Sequence, residues 1–186
     1  DKFFLVSAHR EENIDDHKQF TKLVDCLNKI AAKYRLPVIV STHPRTRKRL
    51  EDLNQSRVTN NQLLQFMKPL GFFDYVHLQT KAKATLSDSG TISEESSILN
   101  FPALNIRNAH ERPEAMEEAS VMMTGLEPKR VLQCLKILKT QQRDNDRTLR
   151  LVADYSVSNV SDKVLRIIIS YTDYVKRYIW YMDPSR

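Results

Sequence analysis

Histidine and arginine side chains concentrate in short segments that follow predicted strands. Three of the five histidines and four arginines lie in such segments: His9, His43, His110, Arg10, Arg45, Arg107 and Arg112. Imidazole exchanges protons near neutral pH, and guanidinium binds phosphate oxygens through paired hydrogen bonds. Core packing does not call for this concentration of rings and guanidinium groups. The residue types therefore indicate that these segments bind an anionic ligand.

A second candidate is the segment LSDSGTISEE at residues 86–95. Ser89 and Gly90 predict a sharp turn after a strand, and a helix is predicted over 91–99. The start of a helix leaves main-chain N–H groups unpaired and attracts phosphate. The alternative is that Ser89 caps the helix and that no ligand binds there. This segment alone leaves both interpretations open.

The remaining chain predicts an α/β fold in which strands and helices alternate. Strands are predicted over 2–8, 37–42, 63–66, 84–89, 102–107 and 119–125, and helices over 15–34, 46–53, 72–81, 91–99, 128–142 and 161–182. Asp15 or Asp16 is the predicted cap of the first helix, and 141–150 is predicted to be a mobile loop. This alternation predicts a Rossmann-like parallel sheet with helices on both faces. Ligands bind such sheets at the carboxyl ends of the strands, which favours the phosphate interpretation.

Individual residues at this edge suit different parts of a nucleotide. Ser89 and Gly90 would offer main-chain N–H groups to a diphosphate, and Arg10, Arg45 or Arg112 would offer guanidinium groups. Glu95 lies about 9 Å along the helix from Ser89. Its carboxylate could therefore accept hydrogen bonds from both ribose hydroxyls, whereas the neighbouring Glu94 is expected to be structural or solvated.

Composition limits the class of protein. The 186 residues suit one domain, and the net charge of +6 favours an anionic partner. The basic cluster RTRKR at 45–49 leaves a nucleic-acid-binding module as an alternative. Cys26 and Cys134 lie in predicted helices without a zinc or disulfide spacing, which favours a reduced, cytoplasmic protein. The longest apolar stretches are too short to predict a membrane span. The chain opens inside a predicted strand without Met, so we expect a longer parent protein.

Four ordered blocks show a family resemblance. HREEN (9–13), THPRT (42–46), SDSGTISEE (87–95) and NIRNAHERPEA (105–115) resemble the carboxyl-terminal domain of the non-hydrolysing UDP-N-acetylglucosamine 2-epimerases. The likeness covers nearly the whole chain. The segments LNFPALNIRNAHERPE (99–114) and KPLGFFDY (68–75) are most similar to the capsule and O-antigen branch of this family. That branch converts UDP-2-acetamido-2,6-dideoxy-L-talose into UDP-N-acetyl-L-fucosamine.

The resemblance implies an isomerase of GT-B architecture whose active site lies between two Rossmann-like halves. Residues 1–186 would be the nucleotide-binding half, with the helix at 161–182 completing it or crossing to the other half. A UDP-sugar substrate, a homodimer, no cofactor, and no membrane or nucleic-acid partner are implied. The acid/base carboxylates belong to the amino-terminal half, so this chain alone should bind UDP weakly and catalyse nothing. A GT-B glycosyltransferase half is the alternative.

The resemblance also implies roles for single residues. His9 matches the family's essential histidine, near the diphosphate and the reacting sugar. Thr91 departs from the family, because it stands where the phosphate turn usually has a second glycine; its N–H can serve if its dihedral angles are ordinary. The remaining matches are Ser89 and Gly90 as the phosphate turn, Glu95 as the ribose ligand, Tyr75 as a main-chain contact to uracil, and Arg10, His43 and Arg112 as further contacts.

Overall fold

A computed structural model describes residues 2–52 and 61–182. The chain forms two compact units, the first ending at Tyr155 and the second starting at Ser156. The strands are β1 (Phe4–Ser7), β2 (Val38–Ser41), β3 (Leu64–Met67), β4 (Thr85–Ser87), β5 (Ala103–Asn105) and β6 (Met122–Met123). The helices are α1 (Glu11–Ile14), α2 (His17–Tyr34), α3 (Pro44–Asp52), α4 (Phe72–Lys81), α5 (Ile92–Leu99), α6 (Pro113–Glu117), α7 (Pro128–Ile137) and α8 (Val160–Tyr178).

The six strands form one parallel sheet in the order β3-β2-β1-β4-β5-β6. The chain builds outward from β1 in one direction and then returns to build outward from β4 in the other. Ser7 lies beside both Ser41 and Ser87, so the carboxyl ends of the three central strands are level. The predicted α/β class is therefore confirmed. The point between β1 and β4, where the strand order reverses, is where such sheets bind ligands.

Alternate residues of each strand pack under helices on opposite faces of the sheet. Leu104 belongs to the large core under α2 and α7, whereas its neighbour Ala103 packs with Ile92 of α5 and with Phe101. Burying a large aliphatic or aromatic side chain stabilises a fold by about 1.5–3 kcal/mol, so these contacts stabilise the packing of helices on both faces of the sheet. The sheet residues of the large core are Phe4, Val6, Val38, Val40, Leu64, Ala84, Leu86, Leu104 and Ile106.

The first predicted helix, over 15–34, corresponds to α2, and the short helix α1 precedes it. Asp16 caps α2, because its side chain accepts hydrogen bonds from the N–H groups of Lys18 at 2.7 Å and Gln19 at 3.2 Å. This is one of the two predicted caps, and it confirms the helix start. α1 was not predicted, because four residues are too few for an apolar repeat to show.

Two expectations about the later part of the chain are corrected. The segment 141–150 has no helix or strand, but Arg143 donates hydrogen bonds to the carbonyls of Ala82 and Lys83, and Arg147 to those of Ser97 and Ile98. These contacts argue against a mobile loop. The helix predicted over 161–182 runs from Val160 to Tyr178, and none of its side chains is buried. In the described ranges, every helix is too short or too polar to cross a membrane.

Candidate functional site

The segments after β1 and β4 are joined by one buried carboxylate. Asp88, directly after β4, is fully buried. It accepts hydrogen bonds from the main-chain N–H of His9 at 3.1 Å, from that of Arg10 at 3.0 Å and from the side-chain amide of Asn13 at 3.1 Å. Asp88 and Asn13 were not singled out from the sequence. An Asp beside Ser-Gly looks like an ordinary turn residue, and only the fold shows what it binds.

The His9 side chain lies at this junction. Its Nδ1 is 3.3 Å from Asp88 Oδ1, and 44% of the side chain is exposed. His9 therefore has one ring nitrogen beside a buried carboxylate while the ring reaches solvent at the carboxyl edge of the sheet. The structure brings His9 to the turn that contains Ser89 and Gly90, as the sequence predicted.

The turn after β4 leads into α5 without a side-chain cap. Thr91, and not Ser89, is the N-cap residue, so the interpretation of Ser89 as a helix cap is wrong. The Ser89 hydroxyl instead lies 2.9 Å from the Thr91 hydroxyl. Thr91 has φ −65° and ψ −14°, which any residue adopts, so the missing second glycine introduces no strain. The start of α5 keeps N–H groups that no side chain of its N-cap satisfies.

Gly90 lies against the segment that follows β5. A Cβ atom at Gly90 would be 3.4 Å from Glu111 Oε2 and 3.9 Å from Arg112 Nη2. Because its φ is not in the left-handed region, close approach is the constraint on this glycine. Arg112 Nε donates a 2.7 Å hydrogen bond to Glu94 Oε1, which confirms the structural role expected for Glu94. Gly90 and Arg112 are thus neighbours, as a shared diphosphate site requires.

A cluster of ion pairs holds the segments after β1 and β5 together. Arg107 is only 7% exposed, and its guanidinium lies 2.7 Å from Glu12 and 2.8 Å from Glu111. Arg107 holds the pKa of the Glu111 carboxyl below its ordinary value, mainly through this hydrogen bond. Arg10 adds a longer contact of 3.4 Å to Glu111. The sequence did not reveal this cluster, since Arg10 and Glu12 lie far along the chain from Arg107 and Glu111.

Glu95 and Tyr75 form a neighbouring group with the buried Gln79. Gln79 Nε2 donates a 2.5 Å hydrogen bond to Glu95 Oε2, leaving Oε1 as the other acceptor of this carboxylate. Burial raises the pKa of Tyr75 to about 12, with a further contribution from the Glu95 charge, although hydrogen bonds to Ser7 and Ser87 oppose the shift. The Tyr75 side chain is therefore directed at the ends of β1 and β4. The main-chain N–H of Tyr75 donates to the Gly71 carbonyl at 2.9 Å, in the first turn of α4.

The two other histidines of this edge have different surroundings. His43 follows β2, the strand next to β1, and its side chain is exposed. His110 Nδ1 accepts a 2.9 Å hydrogen bond from the main-chain N–H of Arg112, so His110 orders the turn that positions Arg112. Within the described ranges, His110 Nε2 is buried without a hydrogen-bond partner.

A cavity of about 410 Å³ lies at the opposite edge of the sheet. Its lining includes Phe4 and Ala84, at the amino ends of β1 and β4, and Tyr34 and Lys139. The predicted residues lie at the carboxyl ends of the same strands. The cavity is therefore separate from the candidate site, which is an open edge formed by loops.

Comparisons with known proteins agree with the fold and identify the family. A family model described as UDP-N-acetylglucosamine 2-epimerase matches residues 1–169. The UDP-N-acetylglucosamine 2-epimerase of Methanococcus maripaludis is 35% identical over 148 residues, which cover 78% of this chain and 40% of that protein.

Two solved structures share the fold over almost the whole chain. The UDP-N-acetylglucosamine 2-epimerase from Rickettsia bellii matches with a TM-score of 0.80 and 44% identity, over 97% of this chain and 47% of that one. The Methanocaldococcus jannaschii UDP-GlcNAc 2-epimerase, in complex with UDP-GlcNAc and UDP, matches with a TM-score of 0.79 and 27% identity, over 90% of this chain and 45% of that one. The chain thus spans less than half the length of these relatives. It belongs to the UDP-N-acetylglucosamine 2-epimerase family.

Proposed function

We propose that this chain is the carboxyl-terminal, UDP-binding half of a sugar-nucleotide 2-epimerase. The main support is the meeting of His9, the Ser89–Gly90 turn and Arg112 at the point where the strand order reverses. This arrangement offers main-chain N–H groups and a guanidinium to a diphosphate, with an imidazole beside it. Glu95, with one oxygen held by Gln79, is the proposed acceptor for the ribose hydroxyls.

The proposed reaction inverts carbon 2 of a UDP-2-acetamido sugar. A base removes the proton from carbon 2, the bond between carbon 1 and the UDP oxygen breaks, and a glycal with a double bond between these carbons forms. UDP then adds back to carbon 1 while a proton reaches carbon 2 from the opposite face. Cations and N–H groups around the diphosphate stabilise the charge that develops on UDP as it leaves. The carboxylates that move the carbon 2 proton are assigned to the amino-terminal half.

Three finer assignments complete the proposal. The blocks around residues 68–75 and 99–114 favour the branch that forms UDP-N-acetyl-L-fucosamine from UDP-2-acetamido-2,6-dideoxy-L-talose; the other candidate substrate is UDP-N-acetylglucosamine. The full-length protein is proposed to work as a homodimer. Arg10, His43 and Tyr75 are proposed as further contacts to the nucleotide.

Incubation of the full-length protein with each UDP-sugar in deuterated water tests this function. Deuterium should appear at carbon 2 of the preferred sugar, because the removed proton exchanges with solvent. The 186-residue chain alone should bind UDP weakly in calorimetry and incorporate no deuterium. Transfer of the sugar to an acceptor without exchange at carbon 2 would instead identify a glycosyltransferase.

A further inference from the structure

We infer that Asp88 is a positioning residue for His9, fixing the ring so that Nδ1 carries its proton and Nε2 remains the reactive nitrogen. The role of His9 in chemistry rests on the proposed function. The positioning itself is a property of this chain and can be measured without turnover.

The fold places Asp88 where it can reach the end of the neighbouring strand. Ser87 and Ser7 are paired in the parallel ladder, and the Asp88 N–H donates to the Ser7 carbonyl at 3.2 Å. The segment that follows β1 passes over this point, so the Asp88 side chain contacts His9, which lies two residues after Ser7. The main chain of Asp88 is therefore anchored to the end of β1 as well as to its own strand, β4.

The surroundings of Asp88 consist of donors that come from one segment. The N–H groups of His9 and Arg10 and the amide of Asn13 all donate to it, and its side chain has no exposure to water. A buried acceptor fixed in this way cannot turn to follow a moving ring. The imidazole must instead adjust to the carboxylate.

The His9 ring is close enough to make that adjustment. Its Nδ1 lies 3.3 Å from Asp88 Oδ1, slightly longer than an ordinary N–H···O bond. Such contacts in unliganded sites often shorten when a ligand binds. A carboxylate beside one ring nitrogen favours the tautomer with the proton on that nitrogen. Nε2 would then be available to accept a proton or a hydrogen bond at the exposed edge.

A purely structural role for Asp88 makes a different prediction. If the carboxylate serves only to fasten residues 9–13, the two N–H groups and Asn13 would be its important partners. The His9 ring would then take either tautomer. The protonation pattern of the ring separates the two roles.

Nitrogen-15 NMR of the 186-residue chain, above about pH 8 where an ordinary imidazole is neutral, measures this pattern. The signal of His9 is identified by its loss in His9→Gln. We expect an Nδ1 that bears hydrogen and an Nε2 that does not. An Nε2–H tautomer, or a mixture without preference, would overturn the inference. This measurement of the His9 tautomer in the wild-type chain needs no variant of Asp88.

Two variants then test the cause. Asp88→Asn should raise the Nε2–H population, since its single acceptor oxygen is contested by the N–H donors. Asn13→Ala is the control, because it removes another Asp88 partner without touching the ring, and it should leave the His9 tautomer unchanged. Equal tautomer changes in both variants would point to general loosening and overturn the inference. If Asp88→Asn does not fold, the wild-type reading decides alone.

Steady-state kinetics test whether the positioning of His9 by Asp88 matters for catalysis. In the full-length enzyme, Asp88→Asn should lower kcat by about tenfold to a hundredfold, with little change in KM. An unchanged kcat would contradict the importance of the positioning for catalysis. Deuterium exchange by the wild-type enzyme tests the proposed function separately, so failure of one is distinguishable from failure of the other.

Discussion

At the scale of single residues, most charges at the candidate site are already paired within the protein. Arg112 is held by Glu94, Arg107 by Glu12 and Glu111, and the Asp88 carboxylate is surrounded by donors. Pairing holds these side chains in place and reduces the cost of ordering them when a ligand binds. A diphosphate would therefore meet a largely preorganised set of groups.

His9→Ala in the full-length enzyme should lower turnover far more than UDP affinity. The ring is beside the reacting sugar in the proposed function, and loss of a proton-transfer group costs about 10²- to 10⁴-fold in rate. Steady-state kinetics and UDP titration measure the two effects. His17→Ala, an exposed histidine at the start of α2, is the control and should change neither. Equal losses in turnover and affinity would count against a role for His9 in the chemistry.

Glu95→Ala should weaken UDP binding by about 1–3 kcal/mol, the scale for a charged hydrogen-bonding partner. The carboxylate is fixed by Gln79 through one oxygen, so the other can accept from ribose without loss of order. Calorimetric titration of the chain with UDP measures the change. Glu117→Ala, an exposed glutamate on α6, is the matched control with unchanged affinity expected. Unaltered binding by Glu95→Ala would remove Glu95 from the ribose site.

The sequence predicted the positions of the exposed site residues better than their partners. Gly90 and Arg112 were expected to meet because parallel strands bring the segments after them to one edge, and the structure places them together. Asp88 and Gln79 were missed, and Arg107 was expected at this edge without its partners. Each of the three contacts a residue 16 to 95 positions distant in the chain, and local pattern does not encode such pairs.

At the scale of elements, the predicted helices agree with the structure more closely than the last strand of the sheet does. α4 was predicted over 72–81 and occupies those residues, and α2 starts after a predicted cap. β6 was predicted over seven residues and has two, because only Met122 and Met123 pair with β5. An edge strand extends only as far as its hydrogen bonds to the neighbouring strand. Its length therefore depends on that neighbour more than on the residues of the edge strand.

Arg107→Met should lower the free energy of unfolding by about 1–3 kcal/mol at neutral pH, because it removes hydrogen bonds to two carboxylates. Urea denaturation measures the change. Arg130→Met, an exposed arginine on α7 that contacts Gln133, is the control and should stay within about 0.5 kcal/mol of wild type. A loss no greater than that of the control would mean that the cluster does not stabilise the fold.

The same variant should alter the acid dependence of stability. Arg107 lowers the pKa of Glu111 in the folded state, so the unfolded state binds the proton more readily. The stabilisation is therefore complete above the ordinary value of 4.5 and is lost as the pH falls through the lower folded pKa. The difference between wild type and Arg107→Met should shrink over that acidic range. A difference that stays constant there would exclude the ionised Glu111 as its source.

At the scale of the whole molecule, the two edges of the sheet have different characters. The carboxyl edge is open and formed by charged loops, whereas the amino edge contains the cavity lined by Phe4, Tyr34 and Lys139. An open edge suits a site that is completed by another domain, which agrees with a chain that spans less than half of its relatives. Topology therefore favours the open edge for the nucleotide.

Saturating UDP should slow amide hydrogen exchange in residues 9–13 and 89–95 of this chain and leave residues 34, 83 and 139 at the opposite edge unchanged. The reason is that the first two segments flank the point where the strand order reverses, and the N–H groups at the start of α5 would donate to the diphosphate. Mass spectrometry of exchanged peptides measures the pattern. An oligonucleotide at matched phosphate concentration is the control, and it should protect neither edge. Protection confined to the amino edge would move the nucleotide into the cavity, and protection of α3 by the oligonucleotide alone would favour nucleic-acid binding instead.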